Sequence, residues 1–88
     1  MRKTTVTVPW NEGLHMLPAC RLVKLARRFR SSIQMTAGAK VAEATSILSI
    51  LVLCAAMNAP IDIEVSGSDE HEAVRAVEAF FQTDSHGA

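Results

Sequence analysis

In the stretch GLHMLPACRL, His15 stands between Gly13 and Pro18. Neutral imidazole is a nucleophile that can accept a phosphoryl group, provided donors nearby hold the resulting anion. A helical period takes over around Pro18, so a helix is expected to start near Met16 with His15 at or beside its N-cap. Unpaired N–H groups and the positive end of the helix dipole converge there, and an anion carried on the ring would be stabilised. From the residues alone two readings stand. His15 is a capping or loop histidine, or it is a phosphoryl acceptor whose product rests on the backbone donors of Met16 and Leu17.

The other reactive side chains are sparser. Ser46 precedes an apolar run and suits a helix N-cap. Cys20 and Cys54 lie in apolar surroundings without metal-ligand spacing, which favours free thiols in a reducing compartment over a disulfide. A thiol sensor at Cys20 would need an exposed sulfur of depressed pKa. His71 and His86 have no partners at metal-binding or acid/base spacing, so neither a metal nor a cofactor is expected. Trp10 suits packing better than ligand stacking, with Leu17 and Cys20 tucking against its loop as one alternative for that region.

Composition narrows the setting. The chain has 88 residues, 49% of them hydrophobic, which suits one domain over 1–88 with a small core of its own. The formal net charge is zero, which removes the usual electrostatic argument for a nucleic-acid partner. The opening MRKTTVTV carries charge without an apolar stretch behind it, unlike a signal peptide, and the apolar run Ile47 to Met57 is too short to cross a bilayer. A cytoplasmic protein without membrane insertion is expected.

These residues must be held by elements readable from periodicity. Thr4 to Val8 alternates as a first strand ended by Pro9. Ala19, Leu22, Val23, Ala26 and Phe29 make the apolar stripe of a helix whose Lys24, Arg27, Arg28 and Arg30 face solvent. Ile33 and Met35 alternate, Gly38 marks a turn, and Val41 to Ala44 returns as a hairpin partner. A second, heavily covered helix is expected from near Ser46 to before Asn58 and Pro60. Ile61, Ile63 and Val65 alternate with Asp62 and Glu64 in a fourth strand, whose acids, with Glu43, belong on wet strand faces. Ser68 is the expected N-cap of a last helix with Ala73, Val74, Val77, Phe80 and Phe81 buried, and the tail from Thr83 is expected to fray. The result is an α+β fold of order β-α-β-β-α-β-α, a mainly antiparallel four-stranded sheet with three helices on one face.

GLHMLPA resembles the active-site motif of the HPr family, the histidine-containing phosphocarriers of the phosphoenolpyruvate:sugar phosphotransferase system. Its pattern is Gly-Leu/Ile-His-x-Arg-Pro-Ala, and Gly13, Leu14, His15, Pro18 and Ala19 match in place. The Gly38/Lys40 turn, the Ala-x-x-Ser-Ile-Leu stretch ending at Leu48 and the Ser-Gly-x-Asp-Glu start of the last helix fall in register too. The resemblance implies an HPr-like open-faced β-sandwich. It implies that His15 takes a phosphoryl group on Nδ1 from phosphorylated Enzyme I and passes it to IIA-type proteins, as a carrier and not a turnover enzyme. It further implies partner docking through Met16, Leu17, Cys20, Lys24, Arg27, Ile47, Leu48 and Leu51, and makes Ser46 the counterpart of the serine modified by HPr kinase/phosphorylase. A monomer is expected.

Four positions depart from the pattern. Leu17 replaces the motif arginine, whose guanidinium helps neutralise the phosphoryl group, and leucine donates no side-chain hydrogen bond. Cys54 and Asn58 replace glycines, and Cys54 in particular is expected to let the second helix run longer or end differently. Thr45 replaces a frequent lysine. Leu17 also supports a rival reading: a regulatory paralogue that keeps the fold and docks on a transcription factor or enzyme with little phosphotransfer.

Overall fold

The structure is a computed structural model that describes residues 1–83. Alternating strands and amphipathic helices fall in the expected order: β1 (Arg2–Thr7), α1 (Met16–Ala26), β2 (Ser32–Ala37), β3 (Lys40–Glu43), α2 (Ile47–Val52), β4 (Pro60–Ser66) and α3 (Glu70–Phe81). The sheet runs β1-β4-β2-β3, and every neighbouring pair is antiparallel. Thr4 and Met35 both pair with Ile63, so β4 is an inner strand held between β1 and β2.

Period-2 alternation decides which face is buried. Val6, Ile33, Met35, Ala42, Ile61, Ile63 and Val65 point into the core, while Thr5, Gln34, Glu43 and Asp62 stay exposed. On that outer face Thr5 Oγ1 donates to Asp62 Oδ1 at 2.8 Å. The three helices cover the other side, contributing Leu22 from α1, Ile50 from α2 and Val77 from α3, all fully buried. Trp10 closes one end of this core. Its ring lies 5.7 Å from that of Phe80 and 5.4 Å from that of Phe81, and its Nε1 donates to the Thr83 carbonyl at 2.8 Å.

Several boundaries differ from the periodicity, each for a local reason. Strand β1 starts earlier than Thr4, because its edge residues pair with β4 as far as Arg2 opposite Val65. The third strand is Lys40–Glu43, one residue earlier than expected, although Ala44 still donates to the Ile33 carbonyl. Helix α1 stops at Ala26, where bonds from Arg28 to Leu25 and from Phe29 to Ala26 tighten the chain, so Phe29 packs on the core from outside the helix.

Helix α2 corrects the expectation of a long second helix: of the two outcomes expected of Cys54, a longer helix or a different end, the longer helix does not form. Helix α2 ends at Val52, and Cys54 itself takes the left-handed conformation at φ 52°. This turn buries Leu53 and Ala55 on either side while the thiol stays exposed, so burial of the flanking apolar pair offsets the backbone cost. Asn58, the second replaced glycine, also has positive φ, at 70°.

At the start of α3 the N-cap position belongs to Asp69, not Ser68. The Asp69 carboxylate reaches across to Ser31 Oγ and to the Arg30 amide, pinning α3 to the connection that follows α1. Both bonds hold the Asp69 carboxyl below its ordinary pKa, the Ser31 hydroxyl more than the amide. Thr83, expected to fray, is held: its Oγ1 donates to the Ala79 carbonyl. The rest of the expected tail, with His86, lies outside the described residues.

Candidate functional site

The short β1–α1 loop is braced before it reaches His15. Leu14 donates its amide to the Ala55 carbonyl at 2.9 Å, and Val8 and the 58–59 backbone exchange bonds in both directions. Gly13 has φ 76°, and a Cβ there would stand 2.5 Å from the Ala55 oxygen, so only glycine fits the approach. The loop before α1 and the loop after α2 therefore form one unit. The left-handed turn at Cys54 feeds Ala55 into it.

His15 occupies the N-cap of α1 with extended backbone, its carbonyl accepting from the Ala19 amide at 2.9 Å. Its side chain makes no capping bond, so the ring is not spent on closing the helix. The ring is half-buried, and its Nε2 is buried without a hydrogen-bond partner among the described residues. With Nε2 buried, Nδ1 is the ring nitrogen left to meet an incoming group. The first amides of a helix have no intrahelical acceptor. Here they belong to Met16 and Leu17, because Pro18 has none. No acidic residue lies in this first turn to oppose an anion.

The remaining candidates distribute over two helices that pack together. Met16 and Leu17 are 57% and 36% exposed on α1, and Leu48 is 72% exposed on α2. Lys24 and Arg27 are exposed and Cys20 is half-buried. The Trp10 ring packs against the two phenylalanines. Ile47 and Leu51 turn partly inward, against the core, so they present less surface than expected. Val52, absent from the expected docking set, is 63% exposed and enlarges the apolar surface. Its spacing of four from Leu48 on a helix was the available signal.

Ser46 caps α2 as expected, its Oγ accepting from the Ser49 amide at 3.3 Å. His71 is exposed, as are Glu43, Asp62 and Thr45, whereas Glu64 is half-buried. Among the described residues no group of three His, Cys, Asp or Glu could hold a metal ion, and no helix is long and apolar enough to cross a membrane.

The sequence model described as "PTS HPr component phosphorylation site" matches residues 2–83. The chain belongs to the HPr family. It is 38% identical over 72 residues to phosphocarrier protein NPr of Proteus mirabilis, covering 81% of this chain and 80% of that one. It is 34% identical over 83 residues to phosphocarrier protein HPr of Haemophilus influenzae, covering 94% and 98%. Among solved structures, HPr from Bacillus anthracis superposes with a TM-score of 0.87 at 33% identity, over 92% of this chain and 96% of that one. The HPr fold is thus shared in full, and proteins of this family are phosphocarriers rather than enzymes.

Proposed function

We propose that this HPr-family protein carries a phosphoryl group on His15 Nδ1, receiving it from phosphorylated Enzyme I and delivering it to an IIA-type protein. The observation that carries this reading is the ring itself: a half-buried histidine at the N-cap of α1 that makes no capping bond and whose Nε2 is buried without a partner among the described residues. The transfer is an in-line displacement at phosphorus. Nδ1 forms the new bond as the donor's phosphorus–nitrogen bond breaks, and the same bond later breaks in favour of the acceptor's nucleophile. The chain's contribution is position and field. The Gly13–Ala55 brace fixes the ring, and the Met16 and Leu17 amides with the helix dipole face the charge on the phosphoryl oxygens.

Partners dock on Met16, Leu17, Cys20, Lys24, Arg27, Ile47, Leu48 and Leu51, an apolar surface flanked by cations, to which Val52 adds. The carrier works as a cytoplasmic monomer. Ser46 is the regulatory position, a target for HPr kinase/phosphorylase. A phosphate on its Oγ would be tolerated at the helix N-terminus, where the Ser49 amide already points at Oγ, yet would put negative charge beside exposed Leu48, opposing an acidic partner.

One observation favours a second reading. Leu17, in the place of the motif arginine, is exposed and apolar, which suits a regulatory paralogue that binds a transcription factor or enzyme with little transfer. Incubation with phosphoenolpyruvate and Enzyme I separates the two. Acid-labile phosphate on the wild type, absent from His15→Ala, is the expected result. A wild type that stays unlabelled while a standard HPr labels in parallel overturns the carrier reading in favour of the second.

A further inference from the structure

A second feature of α1 lies on the side that faces α3. Arg21, Lys24 and Arg28 line a groove of about 280 Å3 whose apolar surface comes from Leu25 and Phe80. The three cations recur at helical spacing, so they stand along one side of α1 and its immediate continuation. All three are exposed, and none forms an ion pair among the described residues. The segment Met16–Ala26 contains no acid, so no partner is available one turn away.

Three carboxylates at the N-cap of α3 and along it are engaged elsewhere, while Glu72 of the same helix is exposed. Glu70 pairs with the amino terminus at 2.9 Å and with Arg2, Asp69 holds Ser31 and the Arg30 amide, and Glu78 accepts from Thr4 Oγ1 at 2.7 Å. Arg21, Lys24 and Arg28 thus place positive charge along an apolar groove, with no ion-pair partner among the described residues.

We propose that this groove binds a small organic phosphate, with its phosphate held by Arg21, Lys24 and Arg28 and its apolar ring laid against Leu25 and Phe80. Guanidinium groups match phosphate oxygens in pairs, which sets the head group. Leu25 and Phe80 offer nothing to a bare inorganic anion, which sets the need for an apolar body. The volume lies at the small end for ligand sites and suits one ring with its phosphate better than a polypeptide segment. Because Lys24 also belongs to the proposed docking surface, occupancy would withdraw a cation from that surface. This consequence rests on the carrier reading, whereas the binding itself does not.

The test is titration of the full ¹⁵N-labelled chain with phenyl phosphate, adenosine monophosphate and inorganic phosphate, followed by amide shifts. Shifts are expected over residues 21–28 and at Phe80, with either organic phosphate bound at least about fivefold tighter than inorganic phosphate. The Arg21→Gln/Arg28→Gln double variant should bind at least about tenfold more weakly with the remainder of its spectrum unchanged. Equal affinity for inorganic phosphate, undiminished binding by the folded double variant, or shifts centred on residues 15–17 would each overturn the proposal. None of these readouts involves His15 labelling, so failure here leaves the carrier reading standing, and the reverse holds too.

Discussion

Replacing Leu17 by arginine isolates the contribution of the missing side-chain donor. Leu17 sits in the first turn of α1, two residues after His15, and is 36% exposed, so the substitution opens no core cavity. Leucine and arginine have nearly equal helix propensity, and a cation near a helix N-terminus costs about 0.3–1 kcal/mol. Stability should therefore fall by less than about 1 kcal/mol. The transfer step should change far more. One donor aimed at developing charge contributes on the order of a hundredfold in rate, equivalent to about 2.7 kcal/mol of barrier. Rapid-quench measurement of phosphoryl transfer from phosphorylated Enzyme I, at saturating concentrations, reads this rate apart from docking affinity. A Leu17→Gln control, a neutral donor of shorter reach, should gain much less. If folded Leu17→Arg transfers within about threefold of the wild type at saturation, the missing donor is not what limits transfer, and the two backbone amides suffice.

Three further outcomes follow from the loops and caps around the site. Gly13→Ala forces a Cβ to within 2.5 Å of the Ala55 oxygen at φ 76°, and should cost about 1–3 kcal/mol in chemical denaturation while slowing His15 labelling. Cys54→Gly relieves a non-glycine residue at φ 52° whose side chain is exposed, so the urea midpoint should rise, by about 0.5–1 kcal/mol in stability. Asp69→Asn tests the acid limb of stability. The folded carboxyl titrates below the ordinary 3.8, so its contribution is present above that value and is lost as pH falls through the depressed folded value. The variant should be less stable than wild type at neutral pH, and the difference should shrink as the pH is lowered through that window, as followed by thermal melts.

Most of the fold was legible because its signals are local. Ile61, Ile63 and Val65 alternate with polar residues along β4, and Ala73, Val74, Val77, Phe80 and Phe81 make a single helical stripe, and both patterns survive as buried faces. Helix ends were less legible. The apolar run after Ser46 looked continuous, yet α2 stops at Val52 because Leu53 and Ala55 both find burial only if the chain turns left-handed between them. Ser68 looked like the better cap for α3, but Asp69 is recruited by Ser31, a residue 38 positions away. No window on the sequence contains that bond.

The same division runs through the site. The sequence by itself determined that a histidine would stand at the start of a helix, that Pro18 would remove one of the amides beside it, and that an apolar side chain would occupy the place of the motif arginine. These are properties of neighbouring residues, decided by backbone geometry and side-chain chemistry within one turn. Tertiary structure alone decided that His15 Nε2 is the buried ring nitrogen, that Ala55 braces the loop through Leu14, and that Val52 joins the exposed surface while Ile47 and Leu51 turn partly inward. Those outcomes depend on how α1, α2 and the loop at residues 54–59 pack together, and close packing couples residues that no local periodicity relates.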